Sequence, residues 1–209
     1  MSNTAPVTFL AAQLRHAETL ARVAVWVGGG LTVASVLLIS FDILARKFTG
    51  FTVGGADELS SYAFAIGTTW SLAYATLQRA NVRVDVLYQL LPVRLAAVLD
   101  WVALVALGVF MAVLTYYAYD VVAASFAQGS RANTPLATPL ALPQGLWFIG
   151  LAFMCVVLAL MLLRASIALV TGDLEAIREI AGVRSIQEEA EEEAASGERI
   201  VKSEQGERL

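Results

Sequence analysis

The few charged side chains that could take part in chemistry stand where long apolar stretches of this sequence end. Asp42 and Arg46 are four residues apart, so in a helix they share a face and can form an ion pair. Asp57 and Glu58 come directly before the uncharged stretch 59–78, where carboxylates favour the positive end of a helix dipole. This pattern predicts ion pairing and helix capping at the ends of membrane-length helices.

A further polar group lies in the segment RANVRVDVLYQLLP, residues 79–92. Its polar members include Arg79, Asn81, Arg83 and Asp85. Valines alternate with Arg83 and Asp85, which favours a short extended or amphipathic segment over a buried strand. The pattern therefore predicts a loop that joins two helices.

The residues needed for most enzyme and cofactor chemistry are missing. His16 is the single histidine and Cys155 the single cysteine. A haem with two histidine ligands, a histidine-rich metal site and an internal disulfide are therefore excluded within one chain. The sequence also lacks the motifs of nucleotide-binding P-loops, zinc proteases and serine-hydrolase nucleophile elbows. We expect no enzymatic activity, no cofactor and no metal site.

Composition indicates that lipid is the solvent of this chain. Hydrophobic residues make up 58% of it, charged residues only 15%, and the mean hydropathy is +0.68. Ordinary soluble domains carry about 25% charged residues. The acidic residues gather after Asp173, whereas the remainder of the chain is slightly basic and has no clustered basic face for nucleic acid.

The apolar stretches predict an all-α integral membrane protein with four transmembrane helices, since about 20 apolar residues cross a bilayer. An amphipathic lead-in, 1–20, and a disordered acidic tail, 172–209, flank the membrane domain, 21–171. Four spans would place the N-terminal segment, the second loop and the end of the fourth span on one side of the membrane. These parts carry more lysines and arginines than the other two loops, which predicts that both termini are cytoplasmic. The predicted spans are about 21–46, 57–78, 95–127 and 143–165.

Two features of the predicted spans leave alternatives open. Gly28, Gly29 and Gly30 in the first span allow a hinge, a close helix contact, or a flexible but intact helix. The apolar stretch 95–127 would form a helix about 50 Å long, which must tilt, break or project beyond the bilayer.

Three sequence motifs and their order resemble a known family. The first span ends in DILARKF, Asp57-Glu58-Leu59 opens the second, and RANVRVDVLYQLLP follows it. A proline-bearing loop then leads to Pro143, Trp147 and Phe148. Over about residues 20–170 the chain resembles the small permease subunits of TRAP transporters, the DctQ-type family.

The chain departs from the family pattern at three positions. Ala80 stands where glycine is usual, Asn81 where histidine is usual, and Ala56 where tryptophan is usual. Asn81 can still donate and accept hydrogen bonds. The departures remove any role that depends on an imidazole and leave the four-span plan intact.

The resemblance implies a three-part system in the bacterial inner membrane. A periplasmic substrate-binding protein captures an organic acid, and a large permease subunit of about a dozen spans moves it with sodium. This chain would brace the large TRAP permease subunit and help to dock the binding protein. The alternative function is that of a self-sufficient, homo-oligomeric channel or carrier. Such a protein should have polar residues that line a path through its spans.

The resemblance also suggests roles for the motif residues. Arg46, Arg79 and Arg83 would bind membrane phospholipid head groups or pair with acids. Asp57 and Glu58 would cap the second span or meet the partner. Asp85 would pair with an arginine or hold its loop in shape.

Overall fold

The protein is all-helical, as predicted from its apolar stretches. The computed structural model describes residues 5–80 and 91–173, together with 176, 177, 180, 194 and 197. Within these ranges there are four helices and no strand. They are α1 (Ala5–Thr49), α2 (Ala56–Leu77), α3 (Val93–Gln128) and α4 (Ala141–Thr171).

Three of the four helices are long and apolar enough to cross a membrane: α1 from Thr8 onward, α3 and α4. Helix α2 has 22 residues, but serines and threonines dilute its apolar character. It is therefore absent from the candidate spans found among the described residues. The prediction of three of the four spans therefore agrees with helix length and composition.

The helices pack in the order α1, α2, α4, α3, so that α4 is central and α3 packs chiefly on α4. Buried side chains of α4 form most of the core, among them Leu151, Val157 and Met161. They meet Leu104 of α3 and Ala73 of α2. Packing on both sides explains why α4 is the most buried of the candidate spans.

The outer faces of α1 and α3 carry large apolar side chains. Trp26 of α1 is 79% exposed, and Phe110 and Phe126 of α3 are 63% and 80% exposed. An apolar surface of this extent would be unfavourable in water. It is the surface expected of helices that face lipid or another membrane protein.

The structure decides between the alternatives that the glycines and the long helix left open. Helix α1 continues without a break through all three glycines, and Gly28 lies against the backbone of α2 at Gly67. Gly29 and Gly30 face open space. Helix α3 is also unbroken over its 36 residues. A close helix contact therefore explains Gly28, and α3 must tilt or project.

The chain ends of the membrane domain adjoin regions that the structure describes only in part. Residues 8–20 continue α1 as helix, and Leu14 is buried in the core. Beyond α4, Ile177 is buried with Ala97 and Ala168, and Ile180 joins the main core. The predicted loop segment 81–90 and most of the acidic tail lie outside the described residues.

Candidate functional site at the loop end of the bundle

Two carboxylates are buried where α1 ends and α2 begins. Asp42, in the last two turns of α1, is 2% exposed, and Glu58, in the first turn of α2, is 7% exposed. Burial of an ionised group is costly unless other groups hydrogen-bond to it. The partners of these two carboxylates therefore define what this end of the bundle can do.

Asp42 connects its own helix to the loop that follows. The guanidinium of Arg46 donates to it, which confirms the ion pair predicted from their spacing. The Thr52 hydroxyl donates at 2.9 Å and the Val53 backbone N–H at 2.6 Å. The Arg46 side chain is 58% exposed, whereas the carboxylate itself is buried. The carboxylate thus fixes the turn between α1 and α2.

Glu58 connects α2 to the loop that precedes α4. The Tyr62 hydroxyl donates to it at 2.9 Å from the next helical turn, and the Thr134 hydroxyl donates from the loop. Thr138 interacts with the same carboxylate through its hydroxyl and its backbone N–H. The loop 129–140 closes on itself, with the Leu140 N–H bonded to the Ser130 carbonyl at 3.0 Å. Glu58 therefore holds a preformed loop against α2.

A shallow pocket of about 380 Å³ opens between these two interactions. Asp42, Glu58, Thr134 and the exposed Asp57 are among its lining residues. Since both buried carboxylates already accept several hydrogen bonds, they are suited to holding loops in place. In the part of the chain that the structure describes, no three metal-ligating side chains come together.

The structure brings together some of the predicted site residues and separates others. Arg46, Asp57 and Glu58 line the same pocket. Arg79 lies in a second pocket, of about 270 Å³, which Arg15 and Arg164 also line. The other three predicted residues, Asn81, Arg83 and Asp85, lie outside the described residues.

Arg79 has an unusual backbone conformation. It follows the C-terminal end of α2 with φ +56°, in the left-handed region that glycine normally occupies at this position. Its N–H bonds the Thr76 carbonyl at 3.0 Å, and the Ala80 N–H bonds the Ala75 carbonyl at 2.9 Å. These two hydrogen bonds form a Schellman motif. An arginine in this conformation is less favourable than the glycine that usually ends a helix in this way.

Sequence reasoning missed the hydroxyl partners of Glu58. Tyr62 stands four residues after Glu58, so helical spacing alone would have indicated that contact. Thr134 is 76 residues from Glu58 in the chain. No local pattern indicates a contact over that separation, because it depends on how α2 and α4 pack.

Comparison with known proteins gives one family. Residues 35–167 match the model of the family described as "Tripartite ATP-independent periplasmic transporters, DctQ component". This range contains both buried carboxylates and their loop partners. No curated protein and no solved structure matches the chain.

Proposed function

Because this chain belongs to the DctQ family, the small membrane component of tripartite ATP-independent periplasmic transporters, we propose that it braces the large permease subunit during transport. The family is a transporter component and works with a large permease and a binding protein. The transport chemistry would then belong to the large subunit. This chain would supply a fixed set of helices against which the moving part works.

The observation that carries the bracing role is the pair of buried carboxylates. Asp42 ties the turn between α1 and α2, and Glu58 ties α2 to the loop before α4. Three of the four helices are thus connected at one end through two buried carboxylates, and hydrogen bonds to charged groups are stronger than those between neutral groups. An end locked in this way is suited to transmit force and to present a fixed surface to the binding protein.

We propose that α2 is the fourth span. Its 22 residues give a helix of about 33 Å, enough for the hydrocarbon core. It lies between α1 and α4, which shield part of its polar surface. The Thr69 and Ser71 hydroxyls bond carbonyls of their own helix, at 3.0 Å and 2.8 Å, which lowers the cost of placing them in lipid.

Four spans would place both termini on one side, and the basic residues favour the cytoplasm for that side. Arg15, Arg79 and Arg164 line a pocket at that end, whereas Arg46, Lys47 and Arg131 stand at the other. The protein would then be a multi-pass component of the bacterial inner membrane. Its binding-protein partner would meet the loop end, in the periplasm.

We also propose that the complete transporter takes up an organic acid with sodium, and that the large permease subunit supplies the site for this reaction. The internal hydroxyls of this chain are used within the bundle: Ser71 and Thr69 bond their own helix, and Thr115 contacts Cys155. Such contacts are typical of helix association in membranes. They do not form the continuous polar path that a self-sufficient channel needs.

The test is to isolate the tagged full-length chain from its native membrane in mild detergent and identify its partners by mass spectrometry. We expect a large polytopic permease in near equal amount. Recovery of this chain alone, as a monomer or homo-oligomer, would contradict the proposal and favour a channel or carrier. Uptake of labelled carboxylic acids by cells, with and without a sodium gradient, tests the coupling separately.

A further inference from the structure

We propose that Asp120 of α3 lies inside the bilayer and forms an ion pair with a lysine or arginine on a membrane helix of the large permease subunit. Asp120 is one of two acidic residues in the apolar stretch 95–127. The other, Asp100, is buried and has an interaction partner. The proposal rests on the proposed association with a large permease and on the crossing of the bilayer by α2.

Asp120 faces outward from the bundle and is exposed. Ala118, two residues earlier, is buried, so Asp120 lies on the opposite side of the helix. No hydrogen bond or ion pair joins Asp120 to another residue in the described part of the chain. Tyr116 and Tyr117 stand one turn earlier on the same face and are also exposed. This face therefore combines a carboxylate and two phenols with apolar side chains such as Val113.

Contacts between neighbouring helices fix the height of Asp120 in the bundle. The ring of Tyr119 lies 5.9 Å from the ring of Phe148 in α4. Two residues further along α4, a Cβ atom at Gly150 would lie 2.6 Å from Cδ1 of Trp70 in α2. Trp70 is close to the middle of α2. Asp120 is therefore level with the middle third of α2.

This height places Asp120 inside the hydrocarbon core. When α2 crosses the bilayer, its middle third lies near the bilayer centre, and Asp120 lies at the same depth. Gln128, the last residue of α3, is eight residues after Asp120, which is about 12 Å along the helix. The hydrocarbon core extends about 15 Å on each side of its centre. The carboxylate is thus well below the membrane surface.

A carboxylate at this depth needs a partner. Ionisable residues within transmembrane segments are rare, and they almost always face protein or a water-filled cavity and pair with another group. Lipid tails offer no hydrogen-bond donor. Because the described part of this chain supplies none to Asp120 either, we assign the partner to another chain. A lysine or arginine would both hydrogen-bond the carboxylate and offset its charge.

The large permease subunit is the chain that fits this face. A second copy packed face to face through α3 would bring two Asp120 carboxylates together, and like charges at close range repel. Within this chain, α3 packs chiefly on α4, which leaves its outer side available to a membrane neighbour. The DctQ component works with a large permease, so we assign the partner helix to that subunit.

The experiment co-expresses the tagged full-length chain with the large permease and measures the permease recovered in mild detergent. Asp120→Asn removes the charge with little change of shape, and recovery should fall at least about threefold. Purified alone, this variant should keep its thermal midpoint, because the carboxylate has no partner in the described part of the chain. Unchanged recovery would overturn the proposal. Failure of the unmodified chain to recover the permease would instead contradict the proposed function.

Asp173→Asn is the matched control. Asp173 is exposed beyond the end of α4, and its carboxylate accepts a hydrogen bond from the Ala176 N–H at 3.1 Å. Asparagine can cap in the same way, so the substitution removes only the charge and should leave permease recovery unchanged. Equal losses in Asp120→Asn and Asp173→Asn would show that net charge matters rather than position, and would overturn the proposal.

Photocrosslinking identifies the partner group. A photoreactive phenylalanine derivative in place of the exposed Tyr117 should form an adduct with the permease, in a helix that carries a lysine or arginine. Asp120→Lys should abolish recovery of the permease, and exchange of that basic residue for aspartate should restore it. An adduct between two copies of this chain, or a failure of the exchange to restore recovery, would overturn the proposal.

Discussion

Gly28 of α1 and Gly67 of α2 bring the backbones of the two helices into direct contact. A Cβ atom at Gly28 would lie 2.7 Å from the Gly67 carbonyl oxygen, and one at Gly67 would lie 2.8 Å from the Gly28 carbonyl oxygen. Any side chain at either position must push the helices apart. The close crossing of α1 and α2 therefore requires glycine at both positions.

Replacing Gly28 by alanine should destabilise the bundle. The added methyl meets backbone atoms that cannot rotate away, and overpacking of this kind costs about 1–3 kcal/mol. Gly29→Ala is the matched control, since its Cβ would face open space and alanine favours helix by up to ~1 kcal/mol. Thermal unfolding in detergent measures both. Equal midpoints for the two variants would show that the contact does not stabilise the bundle.

Removing the Asp42 carboxylate should loosen the turn between α1 and α2. Asp42→Ala leaves the Val53 N–H and the Thr52 hydroxyl without their acceptor, so the thermal midpoint should fall by several degrees. Arg46→Gln removes only one partner, an exposed side chain, and should have a smaller effect. Asp57→Ala, at an exposed position in the first turn of α2, is the control: it removes a helix-dipole interaction of at most about 1 kcal/mol and should lower the midpoint less than Asp42→Ala does. An Arg46→Gln effect equal to that of Asp42→Ala would contradict this account.

Breaking the contact between Glu58 and Thr134 should free the loop 129–140 from α2. Thr134→Val keeps the shape of the side chain and removes the donated hydrogen bond. Amide hydrogen exchange within the loop should accelerate, while exchange in the middle of α4 stays unchanged. Asn133→Ala, at the exposed neighbouring position, is the control. Loop exchange at the rate of the unmodified protein would show that the Thr134 contact does not hold the loop.

These contacts indicate how far the sequence could predict the structure. The helices follow from apolar stretches of membrane length, and the Asp42–Arg46 pair follows from helical spacing. Both are local properties of the chain. The sequence also indicated that Gly28 could mark a close contact, but it could not name Gly67, which lies in another helix.

The remaining parts of the site depend on packing between distant segments. Glu58 meets Thr134 across 76 residues, and Arg79 shares a pocket with Arg15 and Arg164. No periodicity or spacing encodes such contacts. The left-handed backbone conformation of Arg79 could not be predicted from the sequence either, because a turn of this type usually has glycine at this position.

The attachment of α3 to the bundle should depend partly on one polar contact. The Trp101 indole N–H donates to the Ser166 hydroxyl at 2.9 Å, and this joins α3 to α4, the helix on which α3 chiefly packs. Trp101→Phe and Ser166→Ala each remove the hydrogen bond, so together they should cost less than the sum of the single effects. The coupling expected for such a pair in a membrane protein is about 0.6 kcal/mol, with an upper limit near ~1.7 kcal/mol.

A double-mutant cycle on unfolding in mixed micelles measures this coupling. Trp70→Phe paired with Ser166→Ala is the control, because the Trp70 indole donates instead to the Leu146 carbonyl and should not couple to Ser166. Strict additivity of Trp101→Phe and Ser166→Ala would show that the hydrogen bond contributes nothing. The attachment of α3 would then rest on apolar contacts alone, such as those that Leu104 and Met111 make in the core.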